Sequence, residues 1–459
     1  MFPLLATGQR ARGTALPVLL FAAAVLASEP FGRQEGAPTA LVDGGAQPQC
    51  MYSERYVRQW FSKTAPALSR ERIRTYYDKH IARFRKRDVL FMYVTVRDNK
   101  VRIEPECGAG KRFRCLCEPP CAQYPSLNGG GVPMPIFEGR LMAFVQVLDA
   151  TTQLGVPDVE FILNVDDHPR SRDPHVPVLS ACADTCKVDI PIPLELPGFA
   201  GGWHWLKASA AAAALASRKE LPPWLARKPT LFWRSTARLP QRGSCMWLCN
   251  AVGNVCAGTS ACSGAHGKQC YGEKWQMSPR ARVAALGKRH PDLLDVSYSG
   301  HCCSAMLRDR DPPAYPHDLL KTEFGPAKHF ATWQQMANFK YLLALDGNSY
   351  ATGYAGLLLL GSPVFRHESP FPLFFEGKID PVLRDGTDFV RVAADLSDLP
   401  DKVSALKKDD VRARRIGEQG AATAVKAVGP EQSACYLRLV LREYALRLAG
   451  KGAKIQHEL

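Results

Sequence analysis

Hydrophobic and polar positions follow two rhythms along this chain, and the switches between them outline its elements. In "VLFMYVTVRDNKVRIEP" the runs "YVTV" and "VRI" alternate on either side of Asp98-Asn99, which predicts two strands around a tight turn. "LMAFVQVLDATTQLG" is spaced as a helix that stops near Gly155. "VEFILNV" is a near-continuous apolar run, the kind buried on both faces of a parallel sheet. The second half repeats the order. "PTLFWRST" predicts a strand, and "SPRARVAALGKRHPDLLDVSYS" a helix and a short strand. "HFATWQQMANFKYLLALDGNSY" predicts a helix and the strand "YLLAL". "YAGLLLLGSPVFRHE" and "TDFVRVAADLSDLPDKVSAL" each combine a strand and a helix, and a long helical region closes the chain. From Tyr56 to Lys86 a single helical stretch, basic on one face, is expected.

Helix, strand and polar loop in repetition indicate an α/β protein. Two halves of roughly 150–200 residues fit the usual size of a domain. The expected division is 49–205, then 206–430 with a Gly/Ser/Cys insertion at 243–272, then a C-terminal helix and tail at 431–459. Residues 28–48, rich in Gly, Ala and Pro, read as a disordered lead-in. Arg10 and Arg12 precede the apolar run Ala15–Ala27, which is short for a bilayer span. Residues 1–27 therefore read as a signal peptide, with a signal anchor as the alternative. No later apolar run predicts a membrane span in the mature chain.

Most of the 15 cysteines cluster at Cys107–Cys121 and Cys245–Cys270, followed by Cys302 and Cys303. Behind a signal peptide that density favours disulfides over zinc, and no finger spacing is present. An odd count implies a thiol left over or a link between chains. The ending "KIQHEL" resembles a retention signal of the endoplasmic reticulum, with Gln456 as a departure. The expected location is the endoplasmic reticulum lumen or the secretory pathway. A net charge of +15 can attract nucleic acid, acidic membrane or a phosphorylated ligand. Without a finger or an RNP signature, and behind a signal peptide, nucleic acid is not the expected partner.

Three predicted strands end in polar groups, where open α/β sheets bind ligands. Asp166 and Asp167 follow "FILNV" and offer a carboxylate as general base. Arg234, Ser235 and Thr236 follow "LFW", with Arg238 and Arg242 behind, and suit phosphate oxygens. Asp346, Gly347, Asn348 and Ser349 follow "YLLAL" and lead into a helix whose N-terminus favours an anion. Taken singly, each is also ordinary loop chemistry. Together they suggest transfer from a phosphorylated donor to an acceptor in a cleft. His168 reads as a loop residue rather than a metal ligand. Asp166 and Asp167 could pair on manganese, although adjacent strand residues diverge. Trp203 and Trp205 offer either an acceptor platform or core packing.

"FILNVDDHP", "LFWRSTARLPQR", "DLLDVSYS" and the stretch from Asn338 to Leu399 resemble, in this order, family 90 glycosyltransferases. These are the protein O-glucosyltransferases and capsule-associated glycosyltransferases, including those of the endoplasmic reticulum. The resemblance covers roughly residues 90–445. It implies a GT-B fold, two Rossmann-like domains facing across a cleft, here with a cysteine-rich insertion in the second. It further implies UDP-glucose or UDP-xylose as donor, a protein or glycan hydroxyl as acceptor, and no metal or other cofactor. The family motif N-V-R-D-Y-P falls on Asn164–Pro169, so Asp167 takes the role of base and Asp166 replaces a basic residue. The motif F-R-G-S-R-T-S-P-E-R, laid over Trp233–Arg242, puts Thr236 and Arg242 at donor-contacting places, with Ser235 replacing a glycine. The donor loop falls on Gly347, Asn348, Ser349, Tyr350, Ala351, Thr352 and Gly353. Gly353 stands where the family usually has an arginine that grips the diphosphate, and Arg234, Arg238 or Lys340 are candidates to replace it. The motif P-W-x-H-Y is also absent, replaced by "DPVLRDGTDFVRV". Gly353 motivates an alternative, a catalytically silent luminal scaffold. A secreted cysteine-rich adhesion protein is a third reading, and the twin α/β pattern speaks against it.

Overall fold

The computed structural model describes residues 49–84, 91–104, 135–194, 216–217, 219–237, 279–301, 324–325, 328–347 and 349–449. In chain order its elements are α1 (Glu54–Arg58), α2 (Arg70–Phe84), β1 (Phe91–Arg97), β2 (Lys100–Glu104), α3 (Pro135–Gln153), β3 (Val159–Asn164), β4 (Val178–Ser180) and β5 (Ile190–Pro191). There follow β6 (Lys228–Ala237), α4 (Pro279–Arg289), β7 (Leu294–His301), α5 (Trp333–Ala337), β8 (Phe339–Ala344), α6 (Tyr354–Leu359), β9 (Val364–His367), β10 (Val390–Val392), α7 (Leu399–Lys408), α8 (Asp410–Ala427) and α9 (Pro430–Ala449). From Cys50 onward the described residues belong to one compact unit.

Asp98 and Asn99 have φ of 48° and 58°. Two positive values in succession make the tight turn that joins a right-twisted hairpin, and Asp and Asn tolerate it. The hairpin β1–β2 opens a mixed sheet ordered β2-β1-β3-β4-β5. β1 is antiparallel to β2 and β3, while β3, β4 and β5 are parallel. The second sheet, ordered β10-β9-β8-β6-β7, is parallel throughout.

All six residues of β8 are buried, and their alternation shows why. Tyr341, Leu343 and Leu345 join a core with Leu231, Trp233 and Phe365, closed by residues of α4 and α7. Leu342 and Ala344 point the other way, into a larger core shared with the first sheet. A strand covered on both faces needs apolar residues at every position. The larger core runs from Phe161 and Val178 through Phe374 and Tyr436 to Leu358, so both halves contribute to it.

The helix α9 closes this core. Tyr436 and Tyr444 donate hydrogen bonds to the carbonyls of Pro191 and Pro177 at 2.7 and 2.9 Å. A disulfide joins Cys435 of α9 to Cys50. The cysteine clusters, the insertion 243–272, residues 1–48 and the pair Trp203 and Trp205 lie outside the described residues.

One expectation is corrected. The stretch from Tyr56 is not one helix. It consists of α1, a 3₁₀ turn at Gln59–Phe61, and the separate α2. Pro66 stands in the gap, where it lacks an N–H and would clash with the preceding turn. Ser69 then starts the next helix by accepting the Arg72 N–H at 3.2 Å. Among the described residues no helix is long and apolar enough to cross a membrane.

Candidate active site

β6 has β7 on one side and β8 on the other, so the winding of the second sheet reverses between β6 and β8. Loops leaving the carboxyl ends of two such strands part in opposite directions and open a crevice. A cavity of about 320 Å³ lies at that place, within the range of small-molecule sites. β6 contributes Phe232, Trp233, Arg234 and Ser235 to its wall. Gly347, Ser349, Tyr350, Ala351, Thr352 and Gly353 contribute from the loop after β8. Arg280 enters from the first turn of α4, and Phe330, Trp333 and Met336 from around α5. Asp167 reaches the cavity from the other half of the chain.

Asn164 explains how two adjacent acids come to face differently. Its Oδ1 accepts the Asp166 N–H at 3.0 Å, and its Nδ2 donates to the His168 carbonyl at 2.8 Å. Asp166 is buried and pairs with Arg170. Asp167 turns to the cavity with its side chain 25% exposed. Its Oδ1 accepts from Nη2 of Arg140 at 2.7 Å, and Nη1 of Arg140 donates to the Val165 carbonyl at 2.8 Å. Ser349 donates its hydroxyl proton to the Asp167 carbonyl, fastening the loop after β8 to the loop after β3. Burial lowers the pKa of His168, against the pull of Asp167. Among the described residues no cluster of His, Cys, Asp or Glu is placed to hold a metal ion.

The loop after β8 is held from beneath. Asp346 is buried, with Arg366 at 2.6 Å, His367 at 3.5 Å and the Ser369 hydroxyl on its carboxylate. Burial pushes the Asp346 pKa up, but Arg366 and His367 outweigh it and hold it below the ordinary value. Arg366 also pairs with Glu376 at 2.7 Å. Asp346 is therefore an anchor rather than a ligand contact. Its carbonyl accepts from Nε of Arg280 at 2.8 Å, which sets that guanidinium against the cavity.

Of the sequence-predicted residues, Asp167, Arg234, Gly347, Ser349, Tyr350, Ala351, Thr352 and Gly353 line one cavity. Arg234 does so with its guanidinium committed to Asp295 at 2.5 Å. Thr236 lies near the end of β6. Arg238, Arg242 and Asn348 fall outside the described residues. Lys340 is corrected as a stand-in cation. It sits at the start of β8, opposite the cavity, and pairs with Asp410 at 2.6 Å. The helix after this loop, α6, is only six residues long, so its dipole adds little for an anion.

Among the cavity and near-cavity residues that went unpredicted are Arg280, Arg140 and Trp333. For Arg280 a signal existed. Ser278-Pro279-Arg280 has the Ser-Pro-then-Arg order that closes the family motif, but it follows the insertion, and Arg242 is nearer in sequence. Trp333 had a local cue, since Thr332 and Gln335 form a reciprocal capping box that fixes the start of α5. Its ring lies so close to Gly356 that a Cβ there would come within 2.6 Å of it. Arg140 had none.

The family model described as Glycosyl transferase family 90 matches residues 135–256 and 272–457. Protein O-glucosyltransferase 3 of Rattus norvegicus is 30% identical over 172 residues, 38% of this chain and 30% of that protein. Protein O-glucosyltransferase 1 of Rattus norvegicus is 20% identical over 305 residues, 63% of each chain. Uncharacterized protein 027R of Frog virus 3 is 24% identical over 332 residues, 64% of this chain and 30% of that protein. The matched part thus spans between about a third and two thirds of the length of these curated relatives.

Proposed function

The chain belongs to glycosyl transferase family 90, and we propose that it moves glucose or xylose from a UDP-linked donor to a hydroxyl of a protein or glycan acceptor. The two α/β halves act as the facing parts of a GT-B enzyme in this reading. The observation that carries it is the meeting of Asp167, from one half, with Arg280, Gly347 and residues 349–353, from the other, around one cavity. The disulfide Cys50–Cys435 fits an oxidising compartment, in keeping with the secretory pathway.

The acceptor hydroxyl donates a hydrogen bond to the Asp167 carboxylate. Its oxygen attacks the anomeric carbon of the donor from the face opposite the diphosphate. As the new C–O bond forms, the hydroxyl proton passes to Asp167. The bond from the anomeric carbon to the diphosphate oxygen breaks, and its electron pair leaves with UDP. Attack from the opposite face inverts the sugar carbon. Arg280 offsets the charge growing on the departing diphosphate, a task that preorganised cations perform in a closed site. Trp333 and Phe330 offer the uracil ring flat apolar surfaces. With an arginine in that role the reaction proceeds without a metal, so turnover in a chelator should match untreated protein.

The silent-scaffold reading rests on Gly353, and Arg280 weakens it by supplying a cation to the same cavity. Calorimetric titration with UDP separates the two. The transferase reading expects saturable binding that weakens about tenfold or more in Arg280→Met, since a charge-assisted contact contributes about 1.5–3 kcal/mol. No saturable heat from the wild-type protein would favour the scaffold.

A further inference from the structure

We infer that Arg140 is a positioning residue that aims the Asp167 carboxylate into the cavity. This rests on the reading of Asp167 as the base. The Arg140 side chain is 2% exposed. A buried guanidinium is costly unless well paired, and a methionine of similar length would fill the volume without that penalty. What the arginine adds is its rigid fork. One arm holds the carbonyl of Val165, just past β3, and the other holds Oδ1 of Asp167 two residues on. The carboxylate is thereby fixed relative to the backbone of its own strand end. The same guanidinium lies 5.8 Å from the ring centre of Tyr350, in the donor loop. Arg140 thus touches the base from one half of the chain and the donor loop from the other.

Orientation is what such a residue supplies. A displacement of about 1 Å in a reacting group can lower a rate about 10²-fold.

The test measures UDP release from UDP-glucose and UDP-xylose beside the dissociation constant for UDP, in Arg140→Met and Arg140→Lys. The expected result is turnover down about 10²-fold in the methionine variant and about tenfold in the lysine variant. UDP affinity should stay within about twofold in both. Should the methionine variant not fold, the lysine variant decides alone. Unchanged turnover, or turnover and UDP affinity falling together by one factor, would overturn the proposal. Asp167→Asn run in parallel separates the two layers. If it keeps full turnover, or if wild-type protein releases no UDP, the reading of the base fails and takes Arg140 with it. If Asp167→Asn loses turnover while Arg140→Met keeps it, only the positioning role is rejected.

Discussion

Gly353 and Gly356 face the same tryptophan with opposite tolerances. A Cβ at Gly356 would come within 2.6 Å of the Trp333 ring, whereas one at Gly353 would meet it at 3.9 Å, an ordinary contact. Gly353 also has φ of −82°, open to any residue. Gly356→Ala should therefore displace the ring, cost about 1–3 kcal/mol of stability and weaken UDP binding, read by thermal unfolding and calorimetry. Gly353→Arg should fold normally and tighten UDP binding about tenfold, because a charge-assisted contact is gained in open space. A second residue-scale prediction concerns Asp189, which is buried beside the Ser180 hydroxyl and the N–H groups of Arg170 and Ser171. Burial, partly countered by those bonds, raises its pKa to about 6 from 3.8. Between these values the folded state binds more protons than the unfolded, so stability falls as pH rises from about 4 to 6. Thermal unfolding across that window should show the fall in the wild type and a flatter profile in Asp189→Asn. Residue placement was legible where it followed strand exits, as at Asp167 and Ser349, which both line the cavity. Arg140 gave no sign, because its partners are 25 and 27 positions away and meet it only in the folded chain.

The elements that could be read from the sequence are those with a full period. β3 and β8 are runs of apolar residues with a polar exit, and the β1–β2 turn has its Asp and Asn. β4 and β5 went unread because three and two residues carry no period; they exist because neighbouring strands pair with them. The helical stretch from Tyr56 was overextended because amphipathic spacing resumes after Pro66 and hides the break. The docking of α9 was likewise invisible, although its effect is large. The Cys50–Cys435 disulfide closes a loop with a sequence separation of 385 residues. Cross-linking so long a loop restricts the unfolded chain, so Cys435→Ala should lower stability by about 2–4 kcal/mol, measured by denaturant unfolding. An unchanged midpoint would show that α9 is held by its apolar face and its polar contacts, such as those of Tyr436, Tyr444 and Arg447, without help from the cross-link.

At the scale of the whole molecule, the shared core and the straddling site are one fact seen twice. Phe374, Tyr436 and Leu358 fill space between the sheets, and Asp167 and Ser349 meet above it. The α/β class followed from the order of elements. The shared core did not, since no local pattern says which apolar face meets which. Because the cavity draws on both halves, UDP bound at about 100 times its dissociation constant should add about 2.7 kcal/mol to the stability of the whole unit. The central claim remains the meeting of a carboxylate with a bound nucleotide-sugar, and steady-state UDP release by Asp167→Asn at saturating UDP-glucose tests it most directly. The account predicts turnover lower by about 10²–10⁴-fold with UDP affinity unchanged. Turnover within about twofold of wild type would contradict it.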